Sequence, residues 1–226
     1  MRIAVAQHTV RFAPAQDLEA LVLFAAQARA EHAEVVFLPS VAAIDEGPLS
    51  EDLWRRLEED APGITVLSAH TGLDEGDGWV LIETPLGMTA FVAGDACFDA
   101  DMLEVLASQS PAVTILAPAS ESEIQAEATL ELAVGLSLSL SALVIVVEPD
   151  GAAPGEAGHG GSAIVHLGEV IAEAINADDL LVVDIDVPVG TPEPRQALPE
   201  VPPLLLQRIA VHHGEKLPVD YPADLS

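Results

Sequence analysis

The sequence predicts a mixed α/β fold in which apolar strands are covered by helices. Three observations predict it. Strand-like and helix-like segments alternate through the first third of the chain. Hairpin chemistry then enters from Trp79 onward. Several strands are apolar at every position, a pattern of strands covered on both faces. Two sheets packed face to face, with helices outside both, satisfy such strands. Periodicity alone leaves an open three-layer sheet equally available.

Arg2 to Gln7 (RIAVAQ) is the first expected strand. Asp17 is the expected cap of a helix whose apolar positions Leu18, Leu21, Val22, Ala25 and Ala28 fall at helical spacing. Glu34 to Leu38 is a short, continuously apolar strand stopped by Pro39-Ser40. Leu49 to Glu59 reads as an amphipathic helix, with Leu49, Leu53 and Leu57 on one side and Arg55, Glu58 and Glu59 on the other. Pro62-Gly63 breaks it, Ile64 to Ser68 is a strand, and Gly72 to Gly78 is an acidic turn. Trp79 to Glu83 and Met88 to Ala93 flank Thr84-Pro85-Leu86-Gly87 as a hairpin.

A helix near Met102 to Ala107 follows, then a strand from Val113, a helix over Glu121 to Ser141 and a strand over Leu143 to Val147. Gly155 to Gly161 belongs to a glycine-rich loop with no lysine after it, so it reads as a loop and not a phosphate cradle. Ser162 to His166 and Val170 to Ala174 form a second hairpin, and Leu180 to Asp186 is the last core strand. Residues 1–187 read as one domain. Residues 188–226 are a Pro-rich extension with one helix candidate, Leu204 to His213.

Composition narrows the function classes. Half of the 226 residues are hydrophobic, enough for a sizeable core. The net charge of −29 repels nucleic acid and anionic lipid, so neither is an expected partner. No basic leader opens the chain, which makes a cytoplasmic location the default. Ala128 to Val147 is apolar over a membrane-like length, yet it contains Glu131 and three serines and changes from helical to strand-like halfway. It reads as a buried helix running into a core strand. A helix that is apolar nearly all round needs cover on its outer face, and that favours a dimer.

Cys97 is the only cysteine, which excludes a disulfide framework. It ends the apolar run Phe91-Val92-Ala93 just before a helix. A thiol at such a corner can be a nucleophile, while a small buried hydrophobe is the commoner role of a lone cysteine. No Lys or Arg occurs from Leu57 to Pro194, and Asp95 and Asp99 flank the thiol. These acids discourage the thiolate. His70, His159 or His166 could pair with the thiol, although the latter two sit in a loop and a turn. Asp95, Asp99 and Asp101 could offer oxygens to a cation, but solvated acidic corners are far commoner. No metal or cofactor is expected. His212-His213 reads as an exposed pair.

The order of these signals resembles the nitrilase, or carbon–nitrogen hydrolase, superfamily. Met1 to Gln7 resembles its opening strand, and Ala33-Glu34-Val35-Val36-Phe37-Leu38-Pro39 its "GAdlvvLPE" segment. Thr84-Pro85-Leu86-Gly87 through Asp99 resembles "TPlGrvgvlICyD", and Leu116 to Ser120 the turn that follows. Gly160 to Val165 with Gly168 to Ala174 resembles "GgSxIvdpxGevlaea", and Leu181 to Asp186 the closing "lvaeiDl". The resemblance implies an α-β-β-α sandwich of two mixed sheets with helices on the outer faces, paired as a dimer through those helical faces or joined to an active relative.

The family chemistry is hydrolysis of amides or nitriles by a Glu-Lys-Cys triad. The cysteine carries over to Cys97. The family glutamate falls on Ser40, whose hydroxyl is no base near neutral pH. The lysine has no counterpart, and the segment from Pro39 to Cys97 is short. A second glutamate, in the family's "RAxEN" helix, falls on Ser139, and the asparagine after the next strand on Glu148. The expectation is a homologue that has lost hydrolysis and acts as a dimeric scaffold, regulatory or small-molecule-binding protein. The alternative is a divergent amidase using Cys97 with another base, Glu121 or Glu123.

Overall fold

The computed structural model describes residues 1–11, 13–39, 50–69, 71–73, 78–151, 158–186 and 197–212. Strand β1 (Arg2–Gln7) divides its side chains between two cores. Ile3 and Val5 enter a layer between two sheets, while Ala4 and Ala6 face helix α1 (Pro14–Ala30). Alanines on that face let the helix approach closely. Strand β2 (Val35–Leu38) repeats the division. Val35 and Phe37 point between the sheets, and Val36 and Leu38 lie under α1 and α2 (Ser50–Asp60). This is why β2 is apolar at every position.

With β3 (Thr65–Ser68) and β10 (Asp179–Asp184), these strands make a four-stranded sheet in the order β10-β1-β2-β3. Strand β1 is parallel to β2 and antiparallel to β10, so the sheet is mixed. The second sheet has six strands in chain order: β4 (Trp79–Thr84), β5 (Gly87–Ala93), β6 (Val113–Ala117), β7 (Leu143–Val146), β8 (Ala163–His166) and β9 (Glu169–Glu173). Strands β5, β6 and β7 run parallel, and the two hairpins add antiparallel edges.

Phe91, Ile115, Ile145 and Ile164 meet Ile3, Phe37 and Leu181 between the sheets. On the other face of the second sheet, Val92, Leu116, Val144 and Val146 pack under α3 (Ala100–Gln109) and α4 (Glu123–Leu140). The layers are therefore α-β-β-α, with two mixed sheets inside, as expected. No described helix is long and apolar enough to cross a membrane. The stretch 128–147 is the end of α4 and then β7.

Two details differ from expectation. Asp17 does not cap α1. The helix begins at Pro14 after Ala13, and the Asp17 carboxylate instead accepts from His8 Nε2 at 2.9 Å and from the Arg11 amide at 3.0 Å. Proline suits the first helical position because it has no N–H to leave unpaired.

The second difference is the cover on α4. Its inner face, with Leu132, Leu136 and Leu140, packs on the sheet. Much of its outer face is covered by the chain itself. Residues 197–202 lead to helix α5 (Pro203–His212), and Leu198, Val201, Leu205 and Ile209 join the same apolar layer. The cover that α4 needs thus comes in large part from its own C-terminal segment. Gly135 makes this fit, because a Cβ there would lie 2.6 Å from Pro199 Cβ. Gly135→Val should therefore lower the urea midpoint, by about 1–3 kcal/mol of stability, despite valine's better helix propensity. A midpoint equal to wild type would show that Pro199 yields freely.

Candidate functional site

The parallel strands β5, β6 and β7 deliver their carboxyl ends to one edge of the second sheet. Each leaves a polar residue there. After β5 the chain enters a single 3₁₀ turn, Gly94–Phe98, which carries Asp95 and Cys97. After β6 it turns through Ala119 in the left-handed region, φ 52°, and presents Ser120. That conformation is uncommon for a residue with a Cβ, and here it aims both Ser120 donors at one carboxylate. After β7 comes Glu148.

Glu148 is 0% exposed. It accepts from the Ser120 amide and, at 3.0 Å, from the Ser120 hydroxyl. Burial pushes its carboxyl up to about 7, although the Ser120 donors, the His159 backbone and Arg208 all oppose the rise. Ser162 anchors the Glu148 backbone. Its hydroxyl donates to the Glu148 carbonyl and accepts from the Glu148 amide, both at 3.0 Å. The Ser162 amide donates in turn to Gln7 Oε1 at 2.9 Å. One buried polar network thus joins the ends of both sheets.

Cys97 is also 0% exposed. Its thiol donates to the Val92 carbonyl at 3.3 Å. Burial pushes the thiol up to about 12, with Glu148 and Asp95 adding to the rise and the Ala117 backbone and Arg208 opposing it. A cation does reach this corner, from a distant part of the chain. Arg208 on α5 is only 7% exposed, with Nε 3.2 Å from Asp95 Oδ1 and its guanidinium 5.5 Å from the centre of the Phe98 ring. Its Nη1 donates to Gln125 Oε1 at 3.4 Å. Sequence proximity alone excludes such a cation; the docking of α5 supplies it.

The other expected site residues fall elsewhere. Ser40 and His70 lie outside the described residues. Ser139 sits near the end of α4 that leads into the start of β7, at the edge opposite Cys97, and donates to the Ala197 carbonyl at 2.8 Å. It serves the C-terminal segment and is not brought to the thiol. His166 pairs with Leu143 at that same far edge. His159 is exposed, and its backbone rather than its ring meets Glu148. Glu121 and Glu123 are exposed at the start of α4. Asp95 is engaged by Arg208, and Asp99 caps α3 by accepting from the Asp101 amide at 2.9 Å. Among the described residues, no group of three His, Cys, Asp or Glu could hold a metal ion.

Two openings lie near this edge and along α4. A cleft of about 340 Å³ is lined by Gln7, Glu123, Glu127, Asp150, His159 and Asn176. A groove of about 940 Å³ runs between α3, α4 and the C-terminal segment. Neither is lined by Cys97. Glu148 and Arg208 are the residues of this candidate site that motif matching undervalues. Each carries a signal of its own: a lone acid after the all-apolar LVIVV, and a lone arginine within the helix PLLLQRIAVH.

The fold is shared with a solved amidase from the nitrilase superfamily. A glutamate-to-glutamine mutant of the Nesterenkonia sp. AN1 amidase, after Michael addition of acrylamide at the active site cysteine, superposes with a TM-score of 0.66 at 16% identity, covering 95% of this chain and 98% of that one. A cysteine-to-serine mutant of the same amidase gives 0.65 at 17% identity, over 82% of this chain and 92% of that one. A cysteine-to-alanine mutant in complex with butyramide gives 0.65 at 17%, over 82% and 90%. At such identities the likeness shows the fold. No protein-family model and no curated protein matches the chain.

Proposed function

We propose that this protein keeps the amidase fold without amide or nitrile hydrolysis, and acts as a dimeric scaffold or regulatory protein that binds a small molecule. The observation that carries the reading is the closed Cys97. Its thiol is fully buried, held protonated, and hydrogen-bonded to β5, the strand before its turn. A thiolate is the nucleophilic form, and at pH 7 a thiol of pKa about 12 supplies about one part in 10⁵ of it. The 340 Å³ cleft is of a size to take a small molecule at the same sheet edge. Ile124 and Val211 remain 56% and 61% exposed on α4 and α5, which supports pairing through the helical faces, with a second copy or with an active relative.

A second reading is a divergent amidase, and one observation favours it. Glu148, with a carboxyl near 7, lies within electrostatic reach of Cys97, and Arg208 lies within reach of both. In that reading Glu148 accepts the thiol proton and Arg208 steadies the resulting charge. Turnover of acetamide and butyramide separates the two. The first reading expects release of ammonia no faster than from Cys97→Ala. Turnover that disappears in Cys97→Ala and in Glu148→Gln would replace it with the second.

A further inference from the structure

We propose that residues 197–212 are a releasable strap closed over the Cys97 corner, with Arg208 as its ionic latch. The strap rests on the closed-thiol reading above. Three features argue for it. Helix α5 pairs with no strand, and its main contacts are to α4 and to the 3₁₀ turn that carries Cys97. Its approach runs through Pro199, Pro202 and Pro203, so few backbone N–H groups tie it to the body. Leu206 and Val211 stay exposed on the helix, and Leu205 and Arg208 turn inward.

The latch is the unusual part. An apolar side chain over Phe98 would make a permanent seal. Arginine must instead lose its water to close, and regains it on opening. Its return is a 3.2 Å approach to Asp95 off hydrogen-bond alignment, a long contact to Gln125, a ring face and the attraction of the Glu148 carboxyl. Asp95 and Gln125 belong to the turn and to α4, so the one guanidinium ties the strap to both elements beneath it. The ionic part of the closure is thus specific in position and modest in strength, and the apolar contacts of Val201 and Leu205 add to it. Release of the strap would uncover Phe98 and open a path to the thiol, while both sheets stay paired.

The test is the urea dependence of iodoacetamide labelling of Cys97 in the full chain, read by mass, with hydrogen exchange of α5 and β6 amides alongside. In wild type the labelling rate should be nearly flat at low urea and steepen only near the unfolding transition, and α5 amides should exchange well before those of β6. Arg208→Ala and Gly135→Val, which release the strap at opposite ends of its footprint, should each raise the low-urea rate about tenfold or more. A rate that follows global unfolding at every urea concentration, with α5 and β6 exchanging together, would overturn the strap. So would wild-type labelling rates in Gly135→Val, should Arg208→Ala fail to fold. Wild-type labelling at the speed of free cysteine would instead sink the closed-thiol reading.

Discussion

In the native protein at pH 8, Cys97 should react with iodoacetamide at least ~10³-fold more slowly than free cysteine, and at the free rate once urea has unfolded the chain. The figure follows from ionisation alone. A thiol raised from 9.0 to about 12 has about a thousandth of the thiolate of an unperturbed one at pH 8. Burial then denies the reagent access to that remainder, so the observed rate belongs to openings of the structure. Besides burial and the opposing hydrogen bond to the Ala117 backbone, three neighbouring charges set the balance. Glu148 and Asp95 add negative charge near the sulfur, and Arg208 offsets part of it. The last of these is shared with Asp95, which is why a cation at the corner does not create a reactive thiol. Native-state labelling at the free rate would contradict the whole account of the site.

Stability should fall as pH rises from about 5 to 8, and Glu148→Gln should remove much of that fall. Below the ordinary value of 4.5 the carboxyl is protonated in both states. Between 4.5 and about 7 the unfolded chain releases the proton while the folded one holds it. The unfolded state therefore gains with rising pH, and the loss is complete above about 7. At about 1.4 kcal/mol per pH unit the difference amounts to about 3 kcal/mol. The sign is opposite to that of Asp178, whose value is lowered by the Thr9 amide and Arg11 against the opposing effect of burial. Asp178 contributes stability that is lost only in acid, below 3.8.

Repulsion within a chain of net charge −29 also grows with pH, so the comparison must be with the variant. An amide keeps an acceptor for the Ser120 N–H, and its NH₂ can donate to the Ser120 hydroxyl. Urea midpoints of wild type and Glu148→Gln should agree near pH 5 and separate by pH 8, with the variant the more stable. Parallel pH profiles would show that the buried carboxyl is not protonated at neutral pH.

Much of the layer plan was legible because burial on two faces leaves a simple trace. Val35-Val36-Phe37-Leu38 has no polar position, since alternate residues enter different cores. Phe91 and Val92 show the same division. The hairpins at 84–87 and 166–169 follow from glycine at Gly87 and Gly168, both at positive φ. Cys97 was legible as a corner residue because a strand ended and a helix began around it. Glu148 was visible as a departure from a motif and as a lone acid after LVIVV. Its meaning depends on Ser120, which approaches from another strand end.

Sequence by itself determined which segments are strands and helices and which strands are covered on both faces, because hydrophobic period is a local property that each strand or helix carries alone, and it left the two-sheet layering to the tertiary structure. It also determined that the Cys97 corner is acidic, since Asp95 and Asp99 are its neighbours in the chain. Only the tertiary structure decided what faces the sulfur. Arg208 arrives from α5, Glu148 from the end of β7, and burial comes from all of them together. Charge and desolvation act through space, at distances the linear order does not record, and so reactivity was settled by packing.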